Sequence, residues 1–502
     1  MKIAYLPLDS RPCNVRFPVQ LAEMAGLQVV TPPPEMLDYF RTPSDYETLS
    51  QWLLENAGEV SELVLSADQL CYGSLLASRE LQVCEKEALR RLALLKTLKE
   101  RFPELKIFGF SILMRSSIST CCVEDVPWYN MMTEYSQAVH RAALHGGGED
   151  EETVRRLRQT LPPGLLEKYH AVRGRNHAIN SECLKLVELG IFDRFLLLQE
   201  DSQPYGIHRM EQEILRRQLD AMNRKDSVFL HNGTDEAGCA CMAALFLQEQ
   251  NAPFRLKVDY LRQPCGQFTA MYEDRSFEEN LKSHCAAIGI ELVGEGPYDG
   301  LLWVYPPNRG LQRDLLVCNE GREEDENELA EMAKLVVDSL NSEKNVGLLD
   351  VAFANGGGER LPVKIAAAAD LPALCYAGWN TASNALGTVL AQMVLGRCNP
   401  EKNRLFTCER LLDDCIYQGR VRAQVQQELI ASGEDVYQLR EKGAATRLLR
   451  ERTSDEGEAA IFQGNTVSFS VDLPWPRTFE AAFFVTQTER NIKSSSGTGK
   501  GI

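Results

Sequence analysis

Short apolar runs alternate with amphipathic segments along most of this chain. Hydrophobic residues spaced three and four apart fill most of the intervals between the runs, which is the pattern of helices packed on a sheet. Strand alternating with helix at this spacing predicts mainly parallel sheets covered on both faces. The predicted strands are 2–8, 27–30, 62–66, 105–113, 194–199, 227–231, 254–260, 300–305, 346–352 and 372–377.

This pattern predicts an α/β protein with mainly parallel sheets of the doubly wound, Rossmann-like type. The predicted strands outnumber those of a simple eight-stranded barrel, so two doubly wound domains are favoured, and a TIM-like barrel with extra elements is the alternative. We predict an N-terminal domain over 1–230, with a helical insertion at about 116–189, and a second α/β domain over 231–400. Residues 401–502 are predicted to form a helical segment, a small β-hairpin and a disordered tail.

Polar residues follow nearly every predicted strand, at the end where α/β folds bind ligands. The stretch Leu196–Glu211 shows this most clearly, because an apolar strand leads directly into acidic residues and then a turn rich in Ser, Pro and Gly. Since the carboxyl ends of parallel strands meet at one edge of a sheet, we expect a shared cleft. The predicted substrate-binding residues are Asp9, Arg11, Asp68, Arg79, Arg115, Tyr205, His208, Asn355, Trp379 and Asn380.

Carboxylates at two of these strand ends suggest acid/base chemistry. Asp201 ends one strand, and the pair Asp235-Glu236 stands between another strand and a helix start. In such a pair, one carboxyl can orient a substrate group while the other donates a proton, although the same acids would also complement a helix dipole. We predict Asp201, Asp235 and Glu236 as catalytic. Glu200 is ranked lower, because adjacent residues at a strand end are expected to point to opposite sides.

The mixture of carboxylates, arginines, asparagines and one tryptophan at these positions is suited to a polyhydroxylated ligand. Such ligands need bidentate hydrogen bonds and an apolar ring face. The same arginines could equally bind a carboxylate or phosphate group.

No metal or cofactor is predicted. His177, His208 and His231 lie far apart in sequence, and a hard-ion site built from three strand-end aspartates is the weaker alternative. The glycine-rich stretch after Asn355 lacks the order of a phosphate-binding loop.

Charge and composition narrow the expected partners. A net charge of −17 disfavours a general nucleic-acid binder, because the phosphate backbone would be repelled. No apolar run is long enough for a membrane span, and the first residues do not form a signal peptide. With 15 cysteines and no export signal, we expect reduced thiols and a cytoplasmic protein. The expected partner is a small molecule; the sequence gives no oligomeric state.

Several of the polar stretches are similar to those of one bacterial family. They are Pro7–Asn14, the turn from Asp201 to Arg209, the pair Asp235-Glu236 and the stretch Tyr376–Asn384. On these motifs the chain resembles domain-of-unknown-function family 4127 over nearly its whole length. The resemblance implies a bacterial cytoplasmic protein and favours a carbohydrate ligand.

The sequence therefore predicts a cytoplasmic enzyme that acts on a small polar ligand, most simply a carbohydrate. A glycoside hydrolase with acid/base carboxylates is the first expectation. The alternatives are a metal-assisted isomerase or lyase acting on a sugar or sugar acid, and a non-catalytic sugar-binding or sensing protein.

Overall fold

The computed structural model describes residues 1–261, 265–316, 324–343, 345–456, 461–462 and 465–490. The predicted disordered tail, which comprises the last ten residues, lies outside these residues. The strands are β1 Lys2–Leu6, β2 Gln28–Val30, β3 Glu62–Ser66, β4 Lys106–Leu113, β5 Arg194–Gln199, β6 Val228–Asn232, β7 Phe254–Tyr260, β8 Ile290–Leu292, β9 Gly300–Tyr305, β10 Arg313–Asp314, β11 Val346–Asp350, β12 Phe353–Ala354, β13 Cys375–Ala377, β14 Asn465–Asp472 and β15 Ala482–Arg490.

Helices connect most of these strands. They are α1 Pro12–Met24, α2 Tyr46–Asn56, α3 Ala67–Tyr72, α4 Glu85–Leu92, α5 Leu94–Arg101, α6 Asp125–His145, α7 Gly148–Thr160, α8 Leu165–Glu188, α9 Ile207–Asp220, α10 Ala237–Gln250, α11 Phe277–Ile288, α12 Glu326–Ser342, α13 Arg360–Ala366, α14 Ala382–Gly396, α15 Pro400–Arg410, α16 Arg422–Ala431 and α17 Lys442–Glu456. A π-helical segment, Leu411–Val421, joins α15 to α16. No helix within these residues is long and apolar enough to cross a membrane.

Two parallel sheets form the framework. The first has the order β2-β1-β3-β4-β5-β6, and the second has the order β13-β11-β9-β7-β8. The predicted fold class is confirmed, and the described residues contain no closed barrel. Each predicted strand coincides with an observed one. The short edge strand β8 was missed, because two of its three residues are exposed and it therefore lacks an apolar run. The two-residue strands β10 and β12, which form a separate sheet, were also not predicted.

Both sheets reverse their strand order at a point next to their first strand. In the first sheet the reversal lies between β1 and β3, and in the second it lies between β7 and β9. Sheets of this kind bind ligands in the crevice beyond the carboxyl ends of the strands at the reversal. The loops after β1 and β3 are therefore the places where a ligand site is expected.

A layer of buried helices connects the two sheets. Helices α10 and α14 pack against each other, and α1 packs against α10. Residues Ala237–Leu247 of α10 are all buried, and one apolar core contains both Tyr5 of the first sheet and Leu302 of the second. Small residues on α10 allow this close approach.

The predicted domain boundaries can be located relative to the observed helices and strands. The boundary between residues 230 and 231 falls inside β6, which belongs to the first sheet. Within the predicted insertion, α6 and α7 share a small core of their own, whereas the second half of α8 packs into the core of the first sheet. Strands β14 and β15 form an antiparallel hairpin. The three-part division itself stays a prediction.

The close packing of α10 predicts an unusual response to a glycine substitution. In Gly238→Ala, the new methyl group would overlap the buried hydroxyl of Tyr5, so we expect a loss of about 1–3 kcal/mol in the free energy of unfolding. In Gly174→Ala, on α8, the methyl group meets nothing within 4 Å, and we expect a gain of up to about 1 kcal/mol. Denaturant unfolding of both variants measures the change in the free energy of unfolding. Equal changes in the two variants would contradict the prediction.

Candidate functional site

A buried arginine and two carboxylates lie at the carboxyl end of β1. Arg11 donates to Asp9 from Nε and Nη2, at 3.1 Å and 2.8 Å, and to Asp235 from Nη1 and Nη2, at 3.0 Å and 2.6 Å. The side chains of Arg11, Asp9 and Asp235 are only 4%, 0% and 7% exposed. Burial raises the pKa of Asp235, and the charge of Arg11 opposes that rise. The predicted residues Asp9, Arg11 and Asp235 thus meet in one network.

Asparagines extend this network across the two sheets. Asn14 Nδ2 donates to Asp9 at 2.9 Å and to Asp235 at 3.2 Å, and Asn380 Nδ2 donates to Asp235 at 2.8 Å. Asn380, which follows β13 in the second sheet, has a φ of 72°, a left-handed conformation that asparagine adopts more readily than most residues. The predicted residue Asn380 therefore joins the Arg11 network from the opposite sheet.

The loop of the C-terminal hairpin covers the Arg11 network. Glu480 lies 3.5 Å from Arg11 Nη1, and the guanidinium of Arg11 lies 5.2 Å from the ring centroid of Trp475. Trp475 Nε1 also donates to Ser10 Oγ at 3.0 Å. Because Trp475 and Glu480 are 1% and 2% exposed, Arg11 is closed off from solvent on this side.

A second charged cluster lies at the ends of β4 and β5. Arg79 and Arg115 both pair with Glu200, and Arg115 also pairs with Asp201. This cluster is less enclosed than the first, since the side chains of Arg115 and Asp201 are 18% and 22% exposed. The charge of Arg11 also acts on Glu200, so the two clusters are neighbours.

Glu200 occupies the centre of this second cluster. Burial alone would raise the pKa of Glu200, but Arg79 and Arg115 overcome that effect and lower it below its ordinary value. The expectation that Glu200 and Asp201 point to opposite sides is wrong, because both contact Arg115. The alternation of side chains applies within a strand, and β5 already ends at Gln199.

Two other predicted acids are fully enclosed. Asp68, at the start of α3, accepts a hydrogen bond from the backbone of Ile112 at 2.9 Å, and burial raises its pKa to about 7. Glu236 accepts from the backbone N–H of Thr234 at 2.7 Å and packs against Gly233 and Gly387. Burial raises the pKa of Glu236 well above its ordinary value. Neither carboxyl faces open space.

Tyr205 and His208 lie beside the helical insertion. The ring of Tyr205 is 39% exposed and lies near His140 and His145 of α6. His208 is fully buried, its Nε2 lies 3.0 Å from the carbonyl oxygen of Gln203, and burial lowers its pKa to about 3. His208 is therefore neutral near pH 7, which suits a structural hydrogen bond rather than proton transfer at that pH.

Asn355 follows β12 and Trp379 follows β13, next to Asn380. The backbone N–H of Asn355 donates to the carbonyl of Asn380 at 2.9 Å. Trp379 is 7% exposed, packs on Phe479, and lines an internal cavity of about 10 Å³ together with Asp235. A cavity of this size has room for one water molecule at most.

An open pocket of about 320 Å³ lies away from all of these residues. It is lined by Glu326, Glu359, Arg360, Val363, Lys364, Arg420 and Ile461, and it contains none of the predicted site residues. Its charged side chains form ion pairs with each other, such as Arg360 with Glu326. We place the candidate site at the charged clusters, because both lie at the carboxyl ends of strands of the first sheet, and the Arg11 network also lies beside its reversal of strand order.

The described residues contain one group whose spacing fits a metal ion, consisting of His231, Glu236 and His284. Burial lowers the pKa of His231 to about 4 and that of His284 well below its ordinary value. The strand-end aspartates do not form such a group: Asp9 pairs with Arg11, Asp201 with Arg115, and Asp68 bonds the backbone of Ile112.

Sequence reasoning missed several residues of the two charged clusters and of the group formed by His231, Glu236 and His284. Asn14 is the last residue of the motif Pro7–Asn14, and this position is the signal by which it could have been predicted. Glu200 was not among the predicted site residues, although it pairs with both arginines of the second cluster. Trp475, Glu480 and His284 carry no signal in the sequence, since each reaches its position only through tertiary packing.

The enclosure of Asp68 predicts how stability depends on pH. The folded state holds the Asp68 proton up to a pKa of about 7, so this residue's contribution to stability is present below the unfolded pKa of 3.8 and falls as the pH rises towards 7. The substitution Asp68→Asn replaces the titrating carboxyl by a neutral amide, so the variant does not lose this stability as the pH rises. As the pH rises from 5 to 8, the variant should therefore gain up to about 3 kcal/mol of stability relative to the wild type.

Denaturant unfolding at both pH values measures this change. Asp45→Asn is the control, because hydrogen bonds from Thr48 lower the pKa of Asp45, and its contribution is lost only at acid pH. A difference between Asp68→Asn and the wild type that does not change with pH would contradict the prediction.

Comparison with known proteins assigns the chain to a family but does not indicate an activity. A family model described as "Protein of unknown function (DUF4127)" matches residues 3–483. No curated protein matches the chain, and no solved structure does. The match takes in both sheets, the charged clusters and most of the C-terminal hairpin. This chain belongs to the DUF4127 family.

Proposed function

We propose that this protein is a cytoplasmic enzyme that hydrolyses a small glycoside carrying an anionic group, bound where Arg115, Glu200 and Asp201 meet. The observation that supports this most is that Arg115 contacts both carboxylates while its side chain and that of Asp201 remain 18% and 22% exposed. A ligand can reach Arg115 and Asp201 directly, whereas the side chain of Glu200 is only 6% exposed. The Arg11 network, in contrast, is enclosed on all sides described above.

The arginines favour an anionic group on the ligand. A guanidinium offers planar, paired donors that match the geometry of a carboxylate or phosphate. Arg79 Nη1 donates to Ser119 Oγ at 2.8 Å, and its Nε is buried without a hydrogen-bond partner in the described structure. Arg79 and Arg115 together can therefore hold a uronic acid carboxylate or a sugar phosphate.

The two carboxylates can take different roles in the reaction. Glu200, whose pKa is lowered, stays ionised near pH 7 and is suited to act as base or nucleophile. Asp201 is paired with Arg115 before the ligand binds. When the anionic group of the ligand occupies Arg115, Asp201 loses its counter-ion, which favours its protonated form and makes it a proton donor for the leaving group. One ionised and one protonated carboxyl are what glycoside hydrolysis requires.

In this proposal Asp235 and Glu236 support the site without touching the substrate. Asp235 and Asp9 fix Arg11, whose charge contributes to the low pKa of Glu200. Glu236 is enclosed between glycines.

Replacing the proposed proton donor should abolish turnover with little effect on the fold. Asp201→Asn removes the acid but breaks only a partly exposed ion pair, which contributes about 1 kcal/mol or less to stability. We expect kcat to fall by at least about 100-fold. A screen of 4-nitrophenyl glycosides and uronides with wild type and variant, together with the melting temperatures, measures both effects.

Glu134→Gln is the matched control, because it breaks the exposed ion pair between Glu134 and Arg156 on the helical insertion. It should retain full activity. Full activity in Asp201→Asn would rule out the role of this residue. Stabilisation of the wild type by a uronide without any product formed would instead indicate a non-catalytic binding protein and refute the hydrolase.

The arginine pair should determine substrate charge. Arg115→Gln removes a charge-assisted hydrogen bond, which contributes about 1.5–3 kcal/mol in similar sites. We therefore expect kcat/KM for a uronide to fall about 10–100-fold more than kcat/KM for the corresponding neutral glycoside. Equal losses of kcat/KM on both substrates would show that Arg115 does not bind the anionic group.

A further inference from the structure

Three buried side chains with metal-binding groups converge on the far side of the loop that carries Asp235. His231 lies near the end of β6, Glu236 directly precedes α10, and His284 lies on α11. All three are 0% exposed. One ligand atom from each lies within 4.8 Å of the other two, and the two imidazole rings have their centroids 3.9 Å apart.

Four of the six side-chain nitrogen and oxygen atoms of this cluster lack a hydrogen-bond partner among the described residues. Both ring nitrogens of His284, Nε2 of His231 and Oε1 of Glu236 are buried without a hydrogen-bond partner in the described structure. Each such atom costs about 1–3 kcal/mol when it is left unsatisfied, so several in contact call for an explanation. A bound cation would accept a lone pair from each of the three side chains at once.

The surroundings favour metal ligation over a simple hydrogen-bonded triad. His231 Nδ1 lies 2.7 Å from the carbonyl oxygen of Asn232, which fits an N–H donor at Nδ1. A hydrogen bond from one ring nitrogen to a backbone carbonyl is the usual way in which a ligating histidine is oriented. The second carboxylate oxygen of Glu236 is likewise held, by the backbone N–H of Thr234.

From these observations we propose that His231, Glu236 and His284 bind a divalent transition-metal ion of the zinc type. Two imidazoles and one carboxylate are typical zinc ligands, with bonds of about 2.0–2.2 Å, whereas calcium and magnesium prefer oxygen alone. Tetrahedral bonds of this length place neighbouring ligand atoms about 3.3–3.6 Å apart, so the three side chains must draw together by about 1 Å, and a water molecule has to supply the fourth ligand.

The proposed metal has a structural role. The ligands are fully buried, and Glu236 packs tightly against Gly233 and Gly387, so no substrate can reach the ion. The ion would fix the loop Asn232–Glu236 to α11 and thereby hold Asp235 against Arg11. This inference does not depend on the proposed hydrolase, because its test measures metal and stability rather than turnover.

Metal content after refolding tests the proposal. The full chain is denatured, treated with EDTA, and refolded with Zn²⁺ or without it, because a buried site is filled during folding. We expect about one zinc ion per chain by elemental analysis, and a melting temperature several degrees higher with zinc than without. Wild-type protein that refolds with Zn²⁺ and carries none would overturn the proposal.

Variants identify the ligands. Glu236→Gln and His284→Leu should each lose at least about nine-tenths of the bound zinc. His208→Leu is the matched control, since His208 is equally buried but outside the cluster, and it should keep the metal. Zinc content equal to that of the wild type in both ligand variants would refute the site.

X-ray absorption spectroscopy on wild-type protein covers the case in which the variants do not fold. The expected spectrum contains two imidazole ligands and light-atom bonds of about 2.0–2.1 Å. A spectrum with sulfur ligands, or without imidazole, would place the zinc elsewhere and refute the proposal.

Discussion

The pairing of Arg11 with Asp9 and Asp235 is the interaction on which the arrangement of the two sheets depends most. It connects the loop after the first strand of the first sheet to the loop after its last strand. Asn380 adds the second sheet, and Glu480 adds the C-terminal hairpin. A guanidinium between two buried carboxylates is stable only when all its partners are present, because removing one leaves an unpaired charge and costs about 3–5 kcal/mol. Four distant parts of the chain must therefore dock correctly for the network to form.

Burial separates this network from the neighbouring cluster of Arg79, Arg115, Glu200 and Asp201. Both contain arginines and acids at strand ends, and sequence alone does not distinguish them. The Arg11 network lies beneath the hairpin loop, whereas Arg115 and Asp201 keep part of their surface exposed. An exposed ion pair can exchange partners with a ligand at small cost, and a buried one cannot. This difference is the reason for assigning a structural role to the first cluster and ligand binding to the second.

The sequence predicted the framework well because the information is local. Buried parallel strands are continuous apolar runs, and each of these was recognisable on its own; β8 was not, since it lies at an edge with two exposed residues. The meeting of Asp9, Arg11, Asp235 and Asn380 also followed from strand ends alone. Burial could not be predicted in the same way. Glu200 shares Arg115 with Asp201 because the chain has left the strand, and Trp475, Glu480 and His284 arrive from elements whose docking no local pattern specifies.

The pair Asp235-Glu236 shows what this limit means for function. Two adjacent acids between a strand and a helix resemble a catalytic pair, in which both carboxyls face the same ligand. Here the two side chains diverge: Asp235 joins Arg11 and Asn380, and Glu236 lies among glycines beside His231 and His284. Each carboxyl therefore fixes a different part of the surrounding structure, and a single loop holds both. The adjacency that suggested shared chemistry instead gives this loop two separate anchors. Asp201, whose side chain is 22% exposed, is left as the strand-end acid most open to solvent.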